Sequence, residues 1–170
     1  MTISGVLAID RPLSDAKRVC VIGGAGYVGL ITGLGLASLG HQVCNVDINA
    51  DRVRMLQEGI SPIFEEDLEP LLRKNLKDGR LSFSTELGPA VQASEIIFIA
   101  VGTPSQSDGG ANVSYVLDVV EQLADLIQSP KVVAIRSTVP AGSFELVRTV
   151  ICKTLKEGED FDIAINPEFL

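Results

Sequence analysis

Short runs of apolar residues, many of them β-branched, alternate along the chain with longer segments in which apolar residues recur every three or four positions. The short runs are typical of buried strands, and the longer segments are typical of helices with one apolar face. Strands are predicted over residues 18–22, 42–46, 81–83, 95–101, 131–135 and 161–165. Helices are predicted over residues 27–39, 50–58, 65–77, 113–127 and 143–155.

This alternation predicts parallel strands joined by right-handed crossover connections. Residues 96–101 are apolar at every position, which is typical of a strand covered on both sides. The predicted fold class is therefore α/β, a doubly wound parallel sheet of six strands with helices on both faces. A chain of 170 residues fits one such domain, which we place at residues 17–170 behind an N-terminal tail, residues 1–16.

Composition narrows the possible partners. Apolar residues make up 46% of the chain, and the net charge is −8 without any run of lysine and arginine, so we expect no nucleic-acid partner. The longest uncharged stretch, residues 19–46, contains several glycines and polar residues, so no membrane span is predicted. The first sixteen residues include Asp10, Arg11 and Asp15 and do not resemble a secretory signal. We therefore expect a cytoplasmic protein.

Few residues are suited to binding a metal or acting as a nucleophile. Cys20, Cys44 and Cys152 are widely spaced and lie in apolar runs, which is typical of thiols that pack as small hydrophobic groups. With His41 as the single histidine, we predict no disulfide, no metal site and no histidine-based triad. Any chemistry must then come from carboxylates, hydroxyls or a bound cofactor.

A glycine-rich turn joins the first predicted strand to the first predicted helix. Gly24, Gly26 and Gly29 have the GxGxxG spacing, and Asp47 ends the next strand 18 residues after Gly29. Gly24 is expected to allow the tight turn, Gly26 to let a pyrophosphate approach the backbone, and Gly29 to let helix and sheet pack closely. The Asp47 carboxylate would bind the adenosine ribose and repel a 2′-phosphate. The turn therefore predicts NAD in preference to NADP.

Two other kinds of domain share parts of this pattern. Domains that bind S-adenosylmethionine also use a glycine turn and an acid after the second strand, so at this point they remain an alternative. Extended short-chain dehydrogenases use GxxGxxG, but they also need a tyrosine with a lysine four residues later. Tyr27 and Tyr115 are followed at that spacing by isoleucine and valine. Neither tyrosine has the lysine that assists proton transfer in those enzymes, so this alternative is disfavoured.

Three further polar segments follow predicted strands, at residues 101–104, 137–142 and 166–170. The carboxyl ends of parallel strands meet at one edge of the sheet, where ligands bind. Thr103, Thr138 and Glu168 are therefore expected to lie close together, near a nicotinamide bound over the first strand.

Together these motifs resemble the NAD-binding domain of the UDP-glucose/GDP-mannose dehydrogenase family. The resemblance covers residues 17–170 and rests on four segments in order. They are GAGYVG at 24–29, VGTP at 101–104 with Asp108-Gly109 and SYV following, STVP at 137–140, and NPEFL at 166–170. The chain departs from the family at Glu66 and Asp67, where proline and glycine are usual, and at Asn112, where aspartate is usual.

The resemblance implies oxidation of the C6 alcohol of a nucleotide sugar to a carboxylate, with two NAD+ consumed and a cysteine-bound thiohemiacetal and thioester as intermediates. UDP-glucose is the first substrate that we expect, and GDP-mannose and UDP-N-acetylmannosamine are alternatives. The implied catalytic residues, which orient and activate water, are Thr138 and Glu168. The implied cofactor contacts are Gly24, Gly26, Tyr27, Val28, Gly29, Asp47, Arg52, Thr103 and Thr138.

Chains of this family are well over twice as long as this one. We expect their nucleophilic cysteine and most sugar contacts in a second domain that this chain lacks. The chain by itself is then expected to bind NAD without turnover and to expose apolar surface, and the complete enzyme is expected to be a homodimer or larger. A second hypothesis is a non-catalytic dinucleotide sensor, which has no need of Thr138 and Glu168.

Overall fold

Six parallel strands form one sheet at the centre of the structure, a computed structural model that describes residues 15–107 and 109–168. The strands are β1 (Arg18–Ile22), β2 (Gln42–Val46), β3 (Leu81–Ser84), β4 (Ile96–Ile99), β5 (Lys131–Ile135) and β6 (Phe161–Ile165). The helices are α1 (Tyr27–Ser38), α2 (Ala50–Gln57), α3 (Leu68–Lys77), α4 (Leu87–Ala93), α5 (Ser114–Leu126) and α6 (Ser143–Ile151). The strand order is β3-β2-β1-β4-β5-β6, which confirms the doubly wound α/β prediction.

The central strands β1 and β4 send alternate side chains into two separate apolar layers. Val19 and Val21 pack with α1, α2 and α3 on one face of the sheet. Cys20 and Ile22 pack with α4, α5 and α6 on the other face. In β4 the apolar residues divide in the same way, which explains why this run has no polar position. The order in which strands are added reverses between β1 and β4, since β2 and β3 lie on one side of β1 and β4, β5 and β6 on the other. The crevice at that point is where such sheets bind ligands.

Several predicted boundaries differ from the structure. Helix α4 was not predicted, because it is seven residues long and contains Gly88 and Pro89 in place of an apolar repeat. Strand β4 is shorter at both ends than the predicted 95–101, although the N–H groups of Glu95 and Ala100 still donate to carbonyl oxygens of β1 at 2.8 Å. Helix α6 ends at Ile151 and not at residue 155.

Helix α3 begins at Leu68, three residues later than predicted, because the chain turns sharply before it. Asp67 has φ 64°, the left-handed conformation that favours glycine. This is the position where the family usually has glycine, so the sequence departs from the family there while the backbone keeps a conformation suited to glycine. Aspartate tolerates this conformation better than most side chains do.

The face that carries α1, α2 and α3 is covered over β1, β2 and β3 and open over the strands beyond. Val132 of β5 remains 37% exposed there. A groove of about 420 Å³ runs between α1 and β4, with Leu36 and Phe98 among its apolar lining residues and Arg136 and Glu168 at its polar end. The structure therefore exposes apolar surface on this side of the sheet.

Candidate functional site

The turn after β1 crosses the ends of the two neighbouring strands. Gly23 has φ 81°, and a Cβ on it would lie 2.6 Å from the carbonyl oxygen of Ala100, so the position requires glycine. The N–H groups of Gly23 and Gly24 both donate to the carbonyl oxygen of Val46 at 2.9 Å. The left-handed residue of the turn is therefore Gly23, and Gly24 lies next to it inside the same turn.

Gly24 and Gly29 are needed because other groups approach them closely. A Cβ on Gly29 would lie 2.2 Å from the carbonyl oxygen of Gly23, which agrees with its predicted role in helix–sheet packing. A Cβ on Gly24 would lie 2.5 Å from that of Asn45. Asn45 is fully buried, and its Nδ2 donates to the carbonyl oxygens of Gly24 at 2.8 Å and Gly29 at 3.3 Å. This amide supports the turn from the side of β2, and no motif in the sequence indicated it.

Helix α1 begins directly after the turn, with Gly26 as its N-cap residue. Among the described residues no side chain caps this end, and its first turn contains no acidic residue. The backbone N–H groups of Tyr27 and Val28 therefore lie at the open end of the helix without intrahelical partners. A Cβ on Gly26 would meet only the oxygen of Gly23 within 4 Å, at 3.3 Å. This end of α1 fits a pyrophosphate in both shape and charge.

Asp47 follows β2 and faces the same turn. Its Oδ2 accepts from the N–H of Ala25 at 2.9 Å, and its Oδ1 accepts from the N–H of Asn49 at 3.0 Å. A carboxylate fixed in this way has lone pairs left for ribose hydroxyls. Ile48, which the sequence analysis overlooked, is 99% exposed beside it and offers an apolar surface. Arg52 lies exposed in the first turn of α2, and its backbone N–H donates to Asn49 Oδ1 at 3.0 Å.

The predicted residues at the other strand ends do lie together. Thr103 Oγ1 donates to the carbonyl oxygen of Thr138 at 2.8 Å, and Thr138 Oγ1 donates to that of Glu168 at 3.0 Å. Between them, the buried Ser137 donates from Oγ to the carbonyl oxygen of Val101 at 2.7 Å. The ends of β4, β5 and β6 are thus joined by hydroxyl-to-carbonyl hydrogen bonds.

Comparison with known proteins assigns the family. Residues 17–170 match the model of the UDP-glucose/GDP-mannose dehydrogenase family, NAD binding domain. The chain belongs to this family. It is 46% identical over 147 residues to UDP-glucose 6-dehydrogenase YwqF of Bacillus subtilis, covering 86% of this chain and 33% of that protein.

Two solved structures of dehydrogenases have the same fold. GDP-mannose dehydrogenase from Pseudomonas aeruginosa has a TM-score of 0.85 at 36% identity, over 90% of this chain and 36% of that one. UDP-glucose dehydrogenase from Pyrobaculum islandicum has a TM-score of 0.84 at 38% identity, over 92% of this chain and 37% of that one. The predicted family, fold and cofactor are confirmed: the chain is an NAD-binding domain of the UDP-glucose/GDP-mannose dehydrogenase family.

Tyr27 of the family's glycine motif also contacts the segment before α3. Its hydroxyl donates to Glu65 Oε1 at 2.9 Å. This hydrogen bond raises the pKa of Tyr27 above its ordinary value, so the phenol remains protonated at neutral pH. Tyr27 is therefore a hydrogen-bond donor in this domain and is not suited to act as a base.

A cation that the sequence analysis did not single out lies beside Glu168. Arg136 directly follows β5, and its Nη2 forms an ion pair with Oε2 of Glu168. Both side chains are partly buried, at 20% and 30% exposed. The signal in the sequence was an arginine between the apolar run 132–135 and the STVP segment.

The remaining candidates for chemistry are weak. Burial raises the pKa of Cys20 to about 12 and also raises that of Cys44, while Cys152 lies exposed after α6. Over residues 15–107 and 109–168, no three histidine, cysteine or acidic side chains are grouped to hold a metal ion. No helix in that part of the chain is long and apolar enough to cross a membrane. Asp108 and residues 169–170 of the family motifs lie outside the described residues.

Proposed function

We propose that this chain is the NAD-binding domain of an enzyme that oxidises the C6 alcohol of UDP-glucose to UDP-glucuronate with two NAD+. The observation that carries the proposal is the hydrogen-bonded series from Thr103 through Thr138 to Glu168, at the strand ends beside the glycine turn. A dinucleotide sensor needs the turn and Asp47, but it has no use for this hydroxyl and carboxylate.

The open end of α1 and the end of β2 would hold the cofactor. NAD accepts the hydride when it is bound. The N–H groups of Tyr27 and Val28 would donate to its pyrophosphate, and Gly26 leaves room for the phosphates to approach. The Asp47 carboxylate would accept from the adenosine ribose, and the exposed Ile48 would pack against the adenine. Thr103 and Thr138 lie at the strand ends, where they would contact the nicotinamide part of the cofactor.

Thr138 and Glu168 would act on the water that completes the reaction. The hydroxyl proton of Thr138 is donated to the carbonyl oxygen of Glu168, so Oγ1 keeps its lone pairs for a proton of the water. The Glu168 carboxylate takes the water's other proton as the water oxygen attacks the thioester carbon and the thiolate leaves. The thiol would be supplied from outside this chain. Burial raises the pKa values of Cys20 and Cys44, and Cys152 follows α6, which ends towards the start of β6 and not at the carboxyl ends of the strands.

The sugar would be bound by the rest of a longer polypeptide. This chain spans about a third of the length of the curated relative described above, 33%. That relative is named for UDP-glucose and one of the solved structures for GDP-mannose. We place UDP-glucose first because the relative with 46% identity bears that name, and we expect the whole enzyme to be a homodimer or larger.

Counting NADH tests this proposal. The full-length enzyme is given a limiting amount of UDP-glucose, with GDP-mannose and UDP-N-acetylmannosamine in parallel reactions, and NADH is measured by absorbance. Two NADH formed for each UDP-glucose would support the proposed reaction and substrate. Two NADH with another sugar would change the substrate only. No NADH with any of the three, in a protein that binds NAD, would favour the sensor.

Asp47→Asn in the present chain tests the cofactor site separately. The amide loses the negative charge that favours ribose hydroxyls over a 2′-phosphate. We expect NAD affinity to fall by about tenfold, equivalent to about 1.4 kcal/mol, and the preference over NADP to narrow. Titration calorimetry with both dinucleotides measures this. Asp51→Asn is the matched control, because Asp51 is exposed on α2 and pairs with Arg54. Equal losses in both variants would remove Asp47 from the ribose role.

A further inference from the structure

Arg136 contacts the three described residues of the segment that carries Glu168. Its Nη1 lies 3.2 Å from the carbonyl oxygen of Asn166, 3.1 Å from Asn166 Oδ1 and 3.4 Å from the carbonyl oxygen of Pro167. Its Nη2 pairs with Oε2 of Glu168, and its Nε lies 3.4 Å from Thr32 Oγ1 on α1. One side chain at the end of β5 thus fixes three consecutive residues after β6 and joins them to α1.

An ordinary surface ion pair does not have this form. Arg148 on α6 provides the comparison, since it lies 2.5 Å from Glu157 and 3.8 Å from Glu145 and binds carboxylates alone. Arg136 instead directs its donors to backbone and amide oxygens around a single carboxylate. Such an arrangement restricts the orientation of that carboxylate as well as balancing its charge.

We propose that Arg136 is a positioning residue that holds the carboxylate of Glu168 in the orientation in which it takes a proton from water. This inference rests on the water-activating role of Glu168 in the proposed function. Thr138 fixes the backbone of Glu168 through the 3.0 Å hydrogen bond to its carbonyl oxygen, and Arg136 fixes the carboxylate through Oε2. Oε1 is then the oxygen left to accept a proton from a water that donates to Thr138.

The shape of the guanidinium explains why an arginine suits this position. Its planar group presents several N–H donors in fixed directions, whereas the ammonium of lysine is a single charged point. A lysine can pair with Glu168 but cannot also hold Asn166 and Pro167 in the same geometry. Arg136→Lys therefore keeps the charge and loses the orientation, and Arg136→Met loses both.

The test follows NADH formation by the full-length enzyme with UDP-glucose, in the first turnover and in the steady state. Arg136→Met is expected to keep the NADH burst that precedes water attack and to lower the steady-state rate about 10- to 100-fold, because small misplacements of a reacting group have effects of this size. Arg136→Lys is expected to give an intermediate rate. Arg148→Met removes a cation from a surface ion pair and is expected to change neither phase.

A double variant tests whether Arg136 acts through the carboxylate of Glu168 or affects the rate independently of it. Glu168→Gln alone is expected to slow the same step by about 10²- to 10⁴-fold. Arg136→Met combined with Glu168→Gln should be no slower than Glu168→Gln, since Arg136 acts through the carboxylate. Multiplied losses in the double variant would overturn the proposal, as would a normal rate in Arg136→Met alone. A normal rate in Glu168→Gln would instead reject the proposed role of Glu168.

The NAD affinity of the present chain is the second measurement. Arg136 makes no hydrogen bond to the glycine turn or to Asp47 among the described residues, so Arg136→Met is expected to change the dissociation constant by less than about twofold. A large loss of NAD affinity together with a lower unfolding midpoint, in both Arg136→Met and Arg136→Lys, would show a general structural role and would overturn the positioning role.

Discussion

The two halves of the carboxyl edge of the sheet are built in different ways. Around β1 and β2, the glycine turn is shaped by close approach of backbone atoms, and a Cβ on Gly29 would lie 2.2 Å from a carbonyl oxygen. Around β5 and β6, the loops are joined by side-chain hydrogen bonds from Thr138 and Arg136 to backbone oxygens. The half around β1 and β2, here called the cofactor half, is thus fixed mainly by close packing around the glycines. The half around β5 and β6, called the water half, is fixed mainly by side-chain hydrogen bonds.

Because of this difference, substitutions in the two halves are expected to affect different properties of the domain. Asn45 behind the glycine turn is fully buried, whereas Thr138 in the water half is exposed. Changes in the cofactor half should therefore disturb folding and NAD binding together. Changes in the water half should leave the fold nearly intact and alter what the strand ends can do. Three substitutions test this contrast, in order of decreasing effect.

Asn45→Asp should have the largest effect. The new carboxyl would face the carbonyl oxygens of Gly24 and Gly29, so its protonated form alone is compatible with burial. Its pKa would be higher in the folded chain than in the unfolded chain, so the folded chain binds more protons and stability falls as pH rises above about 4. We expect a loss of about 3–5 kcal/mol at pH 7 and less near pH 5. Urea unfolding at both pH values measures this.

Asn75→Asp is the matched control for that substitution. Asn75 is 2% exposed, and its Nδ2 donates to Ser38 Oγ and to the carbonyl oxygen of Leu71, both at 3.0 Å. It lies between α1 and α3, away from the glycine turn. We expect it to lower stability without changing NAD affinity in conditions where the chain is folded. Equal loss of NAD affinity in both variants would mean that Asn45 has no special relation to the turn.

Gly29→Ala should have an intermediate effect. The added methyl would lie 2.2 Å from the oxygen and 2.8 Å from the carbon of the Gly23 carbonyl, so the turn or the helix must move. We expect a loss of roughly 1–3 kcal/mol and a clear drop in NAD affinity. A Cβ on Gly35, in the same helix, would have no atom within 4 Å. Gly35→Ala should therefore raise the free energy of unfolding by roughly 0.5–1 kcal/mol through helix propensity. Destabilisation of similar size in both variants would contradict the close-packing explanation.

The sequence predicted the strand, the glycine turn, the helix and the cofactor NAD correctly because these depend on local rules. The glycine spacing, the strand before it and the acid after the next strand can all be recognised in the amino-acid sequence. The left-handed conformation of Gly23 was not predicted, because Ala100, which crowds it, follows a strand distant in the chain. Asn45 was missed for a similar reason, since its partners Gly24 and Gly29 lie in the turn after β1 and in α1.

In the water half, the sequence predicted which residues come together but not what orients them. Parallel topology alone brings Thr103, Thr138 and Glu168 to one edge, so their convergence could be expected. The role of Arg136 depends on the direction of a long side chain with many rotamers, which periodicity does not encode. The short helix α4 was missed because packing, and not local propensity, stabilises it.

Thr138→Val should have the smallest effect on folding. The hydrogen bond from its hydroxyl to the Glu168 carbonyl is exposed, so water can replace it and the expected loss in the free energy of unfolding is about 0.5 kcal/mol. Thr138→Ser keeps the hydroxyl, so its free energy of unfolding should differ from that of the unchanged chain only by the effect of the smaller side chain. Urea unfolding of the NAD-free chain measures both variants. A loss above about 2 kcal/mol would show that the water half supports the fold as strongly as the glycine turn does. A small loss would mean that rate changes in this variant can be attributed to chemistry at the strand ends.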